Sequence, residues 1–152
     1  MKRKKWTNKK FVLTHPSGTL ATSLLEVKDL MAKGKEIPFI SSNGNMRQAI
    51  KIMSEKKLGI VCIKEKNGKI NIITDGDVRR NSNNLYQKKI SKVCNKNPNW
   101  ISETATALSA IEKMNSLKIT SLLVAKNLDI KKKVKRVVGV LHLHHCLSHG
   151  IK

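Results

Sequence analysis

Apolar residues between positions 46 and 57 are spaced as on a helix that buries one face. They recur at i, i+3, i+4 and i+7, which places their side chains along a single stripe. The residues in this stripe are Met46, Ala49, Ile50 and Met53. Residues 104–117 repeat the spacing, with Ser102 or Thr104 placed to cap the helix start. The corresponding apolar residues are Ala107, Leu108, Ile111 and Met114. The pattern predicts two helices of similar length.

Two short apolar runs follow each helix, and a shorter strand precedes it. Short apolar runs bounded by turn residues are typical of buried strands. The predicted strands cover residues 37–41, 60–63 and 70–73 in the first half and about 100–102, 122–125 and 137–141 in the second. A final short helix begins near Asp75 and again near His144. The predicted element order is therefore β-α-β-β-α, twice.

These two halves are copies of one sequence pattern. Residues 49–53 match residues 110–114, 61 positions later, whereas residues 72–74 match residues 140–142, 68 positions later. The offset grows within the Lys-rich stretch 127–136, which we interpret as a solvated loop inserted into the second copy. A repeat of this size buries little apolar surface alone, so we expect an α/β (α+β) fold in which the copies pack through their sheets. The predicted division is a basic N-terminal tail and linker (1–35), a first repeat (36–89) and a second repeat (90–152).

Composition adds a large positive charge. The chain of 152 residues carries 31 Lys and Arg against 10 Asp and Glu, a formal net charge of +21. Nucleic-acid binding commonly uses Arg for base contacts and aromatic rings for stacking. Here 26 of the basic residues are Lys, and aromatic residues make up only 3%. We therefore attribute most of the charge to solubility and to a bias toward Lys, Asn and Ile, and keep nucleic-acid binding as a minor alternative.

Localisation signals and cysteines point to the cytoplasm. No apolar run approaches the roughly 20 residues that a membrane helix needs. The Lys-rich first ten residues are not followed by the apolar core of a signal peptide. The three cysteines, Cys62, Cys94 and Cys146, are far apart and lack metal-ligand spacing, as expected for buried thiols in a reducing compartment.

The run Thr74-Asp75-Gly76-Asp77-Val78-Arg79-Arg80 ends the first copy. With this run in place, the tandem β-α-β-β-α copies resemble a pair of CBS domains, the Bateman module. From about Trp6 onward the chain is also similar to the C-terminal part of the bacterial D-arabinose 5-phosphate isomerase family. The segments that carry this second resemblance are 14–20, 35–38, 74–80 and 139–144.

The isomerase resemblance implies a place on the route to the Kdo sugar of lipopolysaccharide. Family members carry most catalytic groups in an N-terminal sugar-isomerase (SIS) domain, which has no counterpart in this sequence. One family catalytic residue maps onto the chain, His15, in a motif where Ser17 replaces the first glycine. A single imidazole cannot move the proton, open the sugar ring and hold the phosphate. We therefore expect no isomerase activity from this chain alone.

The CBS resemblance implies a ligand between the repeats, an adenine nucleotide or a related molecule. It assigns Asp77 as the acceptor for ribose hydroxyls and Thr74 as a phosphate contact. The candidate phosphate partners are Arg79, Arg80 and Lys57, with arginine better suited to bidentate contact. The alternative interpretation is that Asp75 or Asp77 only caps the helix and the arginines are solvated.

The second copy carries His142 and His145 at the matching positions. The loss of the carboxylate predicts one nucleotide site per chain. His144 and His149 lie beside them, and His145 and His149 have the i, i+4 spacing that can chelate a metal. Because His142 and His144 already belong to the family signature, we expect no metal, and no cofactor beyond a regulatory nucleotide.

These observations support three functions. The favoured one is a dimeric regulatory CBS pair that binds AMP, ATP or a sugar nucleotide such as CMP-Kdo and acts on an isomerase domain. The second is the C-terminal piece of a split isomerase that supplies His15 to a separate SIS chain. The third is a basic nucleic-acid-binding protein, and a degenerate gene remnant is compatible with the altered second copy.

Overall fold

Six strands form two three-stranded sheets in the computed structural model, which describes residues 24–151. The first sheet contains β1 (Phe39–Ser41), β2 (Ile60–Lys64) and β3 (Ile70–Thr74), and the second contains β4 (Trp100–Ser102), β5 (Ser121–Ala125) and β6 (Gly139–His142). In each sheet the first strand runs parallel to the second, and the second runs antiparallel to the third. This shared topology confirms the predicted α+β fold of two equivalent repeats.

The two longer helices begin and end at residues with clear capping roles. Within the described residues the α-helices are α1 (Val27–Leu30), α2 (Met46–Lys56), α3 (Asp75–Arg80), α4 (Ile90–Val93), α5 (Ala107–Leu117) and α6 (Leu143–Leu147). Asn45 caps α2 by accepting a hydrogen bond from the Gln48 N–H at 3.0 Å. Helices α2 and α5 both end at a lysine in the left-handed conformation, Lys57 and Lys118.

The expected cap of α5 was wrong. Thr106 caps this helix by accepting from the Ser109 N–H at 3.1 Å, so α5 begins three residues later than predicted. The Ser102 hydroxyl instead accepts from the Thr104 N–H at 3.2 Å. That bond closes a local turn at the end of β4, because short polar side chains satisfy backbone groups in turns as readily as at caps.

Both faces of each sheet are buried. Alternate residues of β2 separate into two cores: Val61 and Ile63 face α2, whereas Ile60 and Cys62 face the second sheet. The second sheet contributes Leu123 to this shared interface and directs other strand residues toward α5. Burial on two faces explains why the strands appear in the sequence as continuous apolar runs rather than as alternating patterns.

The segment that precedes each repeat packs on the other repeat. The Val27 N–H donates to the Ala105 carbonyl at 2.8 Å, and Ala32 forms a β-bridge with Val140 of the second sheet. Reciprocally, Asn95 follows α4 and forms a β-bridge with Ile72 of the first sheet. These crossed segments, 26–32 and 90–95, tie the two repeats together.

The cysteines within the described residues carry free thiols. Burial raises the pKa of Cys62 to about 12 and that of Cys146 to about 11. Such thiols stay protonated and pack as small apolar groups, in agreement with the structural role predicted for them. Within residues 24–151, no helix is long and apolar enough to cross a membrane.

Candidate functional site

The predicted pair Thr74 and Asp77 lies where β3 passes into α3. The Thr74 N–H donates to Asp77 Oδ2 at 2.9 Å, and the Asp77 N–H donates to Thr74 Oγ1 at 3.2 Å. The Thr74 hydroxyl also donates to the same Oδ2 at 3.1 Å. The two residues therefore form a reciprocal capping box, which holds a carboxylate that is only 9% exposed.

Arg80 engages the other oxygen of this carboxylate. Its Nη2 lies 2.8 Å from Asp77 Oδ1, although the guanidinium side chain remains 70% exposed. The Asn81 side-chain amide also donates to the Asp77 carbonyl at 2.7 Å. Since each carboxylate oxygen has two lone pairs, Asp77 retains capacity to accept a further hydrogen bond from a ligand hydroxyl.

The remaining candidate phosphate partners, Arg79 and Lys57, are exposed. Lys57 ends α2 two residues before Gly59, whose carbonyl accepts from the Asp75 N–H at 3.0 Å. That bond ties the chain after Lys57 to the start of α3. Arg79, Arg80 and Lys57 thus belong to the same end of the first sheet as Thr74 and Asp77.

His142 and His145 reproduce the capping box in the second repeat. The His142 N–H donates to His145 Nδ1 at 3.1 Å, and His142 Nδ1 accepts from the His144 N–H at 3.0 Å. These bonds confirm that His142 and His145 occupy the positions of Thr74 and Asp77. The second junction therefore holds two imidazole nitrogens where the first holds a carboxylate and a hydroxyl.

Burial lowers the pKa of both His142 and His145, and the neighbouring histidines lower it further. Asp75 of the first repeat acts in the opposite direction on His142, as Glu36 does on His145. The lowered pKa agrees with a neutral imidazole whose Nδ1 accepts a hydrogen bond.

The remaining candidate residues are His15 and the histidine cluster of the second repeat. His15 lies outside the described residues. His142 and His144 stack with ring centroids 4.8 Å apart, and His149 Nδ1 lies 3.0 Å from the His145 carbonyl oxygen. Among residues 24–151, no group of three or more His, Cys, Asp or Glu side chains is arranged to hold a metal ion.

Two partners of Asp77 were missed from the sequence. Arg80 was assigned to phosphate alone, although its i+3 position relative to Asp77 is a spacing at which ion pairs form on helices. Asn81 was not considered. The sequence signal for this bond was the i+4 position of Asn81 relative to Asp77, directly after the six-residue helix α3.

We compared the chain with known protein families and with individual proteins of similar sequence. The CBS domain family model matches the chain twice, over residues 21–84 and 90–151. Arabinose 5-phosphate isomerase KdsD from Francisella tularensis is 38% identical over 97% of this chain, and KdsD from Escherichia coli K12 is 33% identical over 99% of it. The chain spans about 45% of the length of each.

Solved structures share the fold. The CBS domain pair of protein MJ0100, in complex with 5'-methylthioadenosine and S-adenosyl-L-methionine, superposes with a TM-score of 0.69 at 22% identity, covering 82% of this chain and 94% of that one. CBSX2 in complex with AMP gives a TM-score of 0.68 at 16% identity, covering 83% and 96%. At these identities the likeness establishes the architecture.

Proposed function

The chain belongs to the CBS-domain family, and from that premise we propose that it is a regulatory module that binds an adenine nucleotide or a sugar nucleotide through Thr74 and Asp77. The observation that carries this proposal is the buried Asp77 carboxylate, which Thr74 holds at the junction of β3 and α3. The pair solved with S-adenosyl-L-methionine and the one solved with AMP support an adenosine compound as the ligand class.

The geometry suggests how such a ligand is held. A ribose hydroxyl donates to Asp77, which is already fixed by Thr74 and does not need to be ordered on binding. Arg80 can then turn from Asp77 toward phosphate, since its guanidinium is exposed and its fork geometry suits phosphate oxygens. Arg79 and Lys57 lie at the same end of the sheet to add charge.

The second junction favours a single nucleotide site per chain. The Nδ1 atoms of His142 and His145 already accept backbone hydrogen bonds. A neutral imidazole has only one acceptor nitrogen. Neither residue can therefore accept a ribose hydroxyl in the way proposed for Asp77.

The isomerase relatives suggest what the module regulates. We propose that it acts, as a cytoplasmic homodimer, on a sugar-isomerase domain in the route to lipopolysaccharide, with CMP-Kdo as a candidate feedback ligand. A second role is supplying His15 to a separate SIS chain. It is favoured by the match to KdsD over 97% of this chain, which extends upstream of the first CBS match at residue 21.

The proposal is tested by isothermal titration of the full chain with AMP, ATP, CMP and CMP-Kdo at fixed ionic strength. Asp77→Asn keeps the shape of the side chain and removes its charge. Asp129→Asn is a matched control, because Asp129 also pairs with a cation at i+3, Lys132, at 2.8 Å. We expect one of these ligands to bind and to lose about tenfold in affinity in Asp77→Asn only. Equal affinities in both variants would contradict the assigned site.

A further inference from the structure

A large cleft runs along β1 to the end of the first sheet opposite Thr74. Ile60 pairs with Thr74 in the first sheet, so Lys64 and Ile70 mark the other end of the β2–β3 hairpin. The cleft, of about 1040 Å³, opens there between the two repeats. From the second repeat it is lined by Lys126, at the end of β5, and by residues 134–138, which lead into β6.

This cleft, which we call the hairpin cleft, is strongly basic. Its cations are Lys64, Lys126, Lys135 and Arg136, and no Asp or Glu side chain from the described part of the chain lines it. Lys64 points toward it because side chains alternate along β2, and Ile60 and Cys62 face the second sheet. Within residues 24–151, Lys64, Lys126 and Arg136 form no ion pair.

The acidic groups on the neighbouring turns lie outside the cleft and have other hydrogen-bond or ion-pair partners, although Asp129 also attracts Lys126. Glu65 accepts a hydrogen bond from the Asn71 side chain at 3.0 Å, and Asp129 pairs with Lys132. Neither carboxylate lines the hairpin cleft. Positive charge collected in a concavity attracts anions more strongly than the same charge spread over a convex surface.

The inserted Lys-rich stretch is largely exposed, as expected of a solvated loop, and its last three residues, 134–136, border this cleft. A Cβ at Gly68, in the turn between β2 and β3, would lie 3.2 Å from Val134 Cγ1. Lys135 Nζ lies 4.9 Å from the centroid of the Trp100 ring, and Val137 is buried in the interface between the sheets. Val134 and Lys135 at the end of the insertion therefore lie close to Gly68 of the first repeat and Trp100 of the second, respectively.

We propose that the hairpin cleft binds a small organic phosphate that carries at least two negative charges, at a site separate from Thr74 and Asp77. Its volume suits a ligand of nucleotide or sugar-phosphate size, since such pockets typically measure about 300–1,000 Å³. Ile37 and Phe39 supply an apolar wall, and Arg136 can contact phosphate with two donors. Because the cations come from both repeats, the ligand bridges them.

The test uses inorganic pyrophosphate as the probe, titrated into the full chain at fixed ionic strength. One variant, Lys126→Gln/Arg136→Gln, removes two cations of the second repeat from the cleft. Its control, Lys131→Gln/Lys133→Gln, removes the same charge from the same inserted stretch at exposed positions that do not line the cleft. In the first repeat Lys64→Gln is compared with Lys66→Gln, which lies in the adjoining turn and outside the cleft.

We expect the double variant and Lys64→Gln each to weaken pyrophosphate binding about tenfold or more, and both controls to leave it within about twofold. Equal losses in variants and controls, or the absence of binding, would overturn the site. Preferential binding of a single-stranded oligonucleotide, weakened equally by all four variants, would identify a nucleic-acid surface instead. AMP binding in Asp77→Asn reports separately on the nucleotide site, so failure of one proposal is distinguishable from failure of the other.

Discussion

The backbone N–H of His142 donates to Nδ1 of His145 at 3.1 Å, just as the N–H of Thr74 donates to the carboxylate of Asp77 at 2.9 Å. The last helix of each repeat therefore begins with the same capping geometry. The accepting group is a carboxylate in the first repeat and an imidazole nitrogen in the second. An imidazole nitrogen stops accepting a hydrogen bond once it is protonated.

Stability should therefore depend on pH through the second repeat. Burial lowers the pKa of His142 and His145 in the folded state, so the unfolded chain binds more protons as pH falls below about 6.5. The stability contributed by the neutral caps is fully present above that pH and is lost as pH falls through the folded pKa. His144, His149, Glu36 and Asp75 are the other charged groups acting on this pair.

The melting temperature is measured at several pH values between 7.5 and 5.0 for two proteins, the natural chain and the variant His142→Thr/His145→Asp. This variant recreates the cap of the first repeat. A lost helix cap costs about 1 kcal/mol. We expect the double variant to flatten the part of the curve below about pH 6.5. His149→Gln removes one neighbouring titratable group but keeps both caps, so most of that slope should remain. Parallel curves for all three proteins would exclude the caps as the cause.

Arg80 should separate phosphate binding from ribose binding. Arg80→Gln removes the ion pair to Asp77 Oδ1 and a guanidinium available to phosphate. We expect the affinity for AMP to fall about tenfold while that for adenosine stays constant or rises, because Asp77 gains accepting capacity. Arg47→Gln is the control, since the Arg47 guanidinium stacks on Tyr86 at 4.3 Å. A parallel loss of adenosine affinity would show that Arg80 acts by positioning Asp77.

Gly139 should tolerate no side chain. A Cβ at this position would meet Met31 Sδ, and it would lie 2.9 Å from the carbonyl oxygen of Ala32. Gly139→Ala should lower the free energy of unfolding by about 1–3 kcal/mol, because the crossed segment 26–32 must shift. Gly76→Ala is the comparison: its Cβ meets only the flexible end of Arg80, and alanine favours a helix, so stability should hold or rise. Chemical denaturation measures both, and equal stabilities would refute the close packing.

The three thiols should differ in reactivity. Burial raises the pKa of all three thiols, but Cys62 and Cys146 are buried whereas Cys94 is half-buried. Ellman's reagent at pH 8 should therefore modify Cys94 first, and the other two only when the chain unfolds. Cys94→Ser should abolish the early phase. Fast labelling of Cys62 in the native protein would contradict the packing between the sheets.

Helices and strands could be predicted because the spacing of apolar residues close together in the sequence determines them. The helical stripe places α2 to within one residue, and the second copy of the strand–turn–strand pattern follows from the repeat. Strand β6 was predicted from 137 but begins at Gly139. Val137 lies between the inserted stretch and β6 and is buried between the two sheets. This burial, and not pairing within the strand, accounts for its apolar side chain.

The candidate site could be predicted only in part. The pairing of Thr74 with Asp77 follows from their spacing, but the ion pair of Asp77 with Arg80 depends on a rotamer that the sequence does not specify. The hairpin cleft depends on distances between residues such as Gly68 and Val134, which lie far apart in the chain. The sequence therefore predicted the exposure of the inserted stretch but not the cleft that its last residues border.

The crossed segments also determine which parts of the chain must fold together. Ala32 completes the sheet of the second repeat through Val140, and Asn95 completes that of the first through Ile72. A chain cut between residues 82 and 84 would leave each fragment holding the edge that its partner's sheet requires. The two fragments would be complementary halves, so cooperative folding requires both of them.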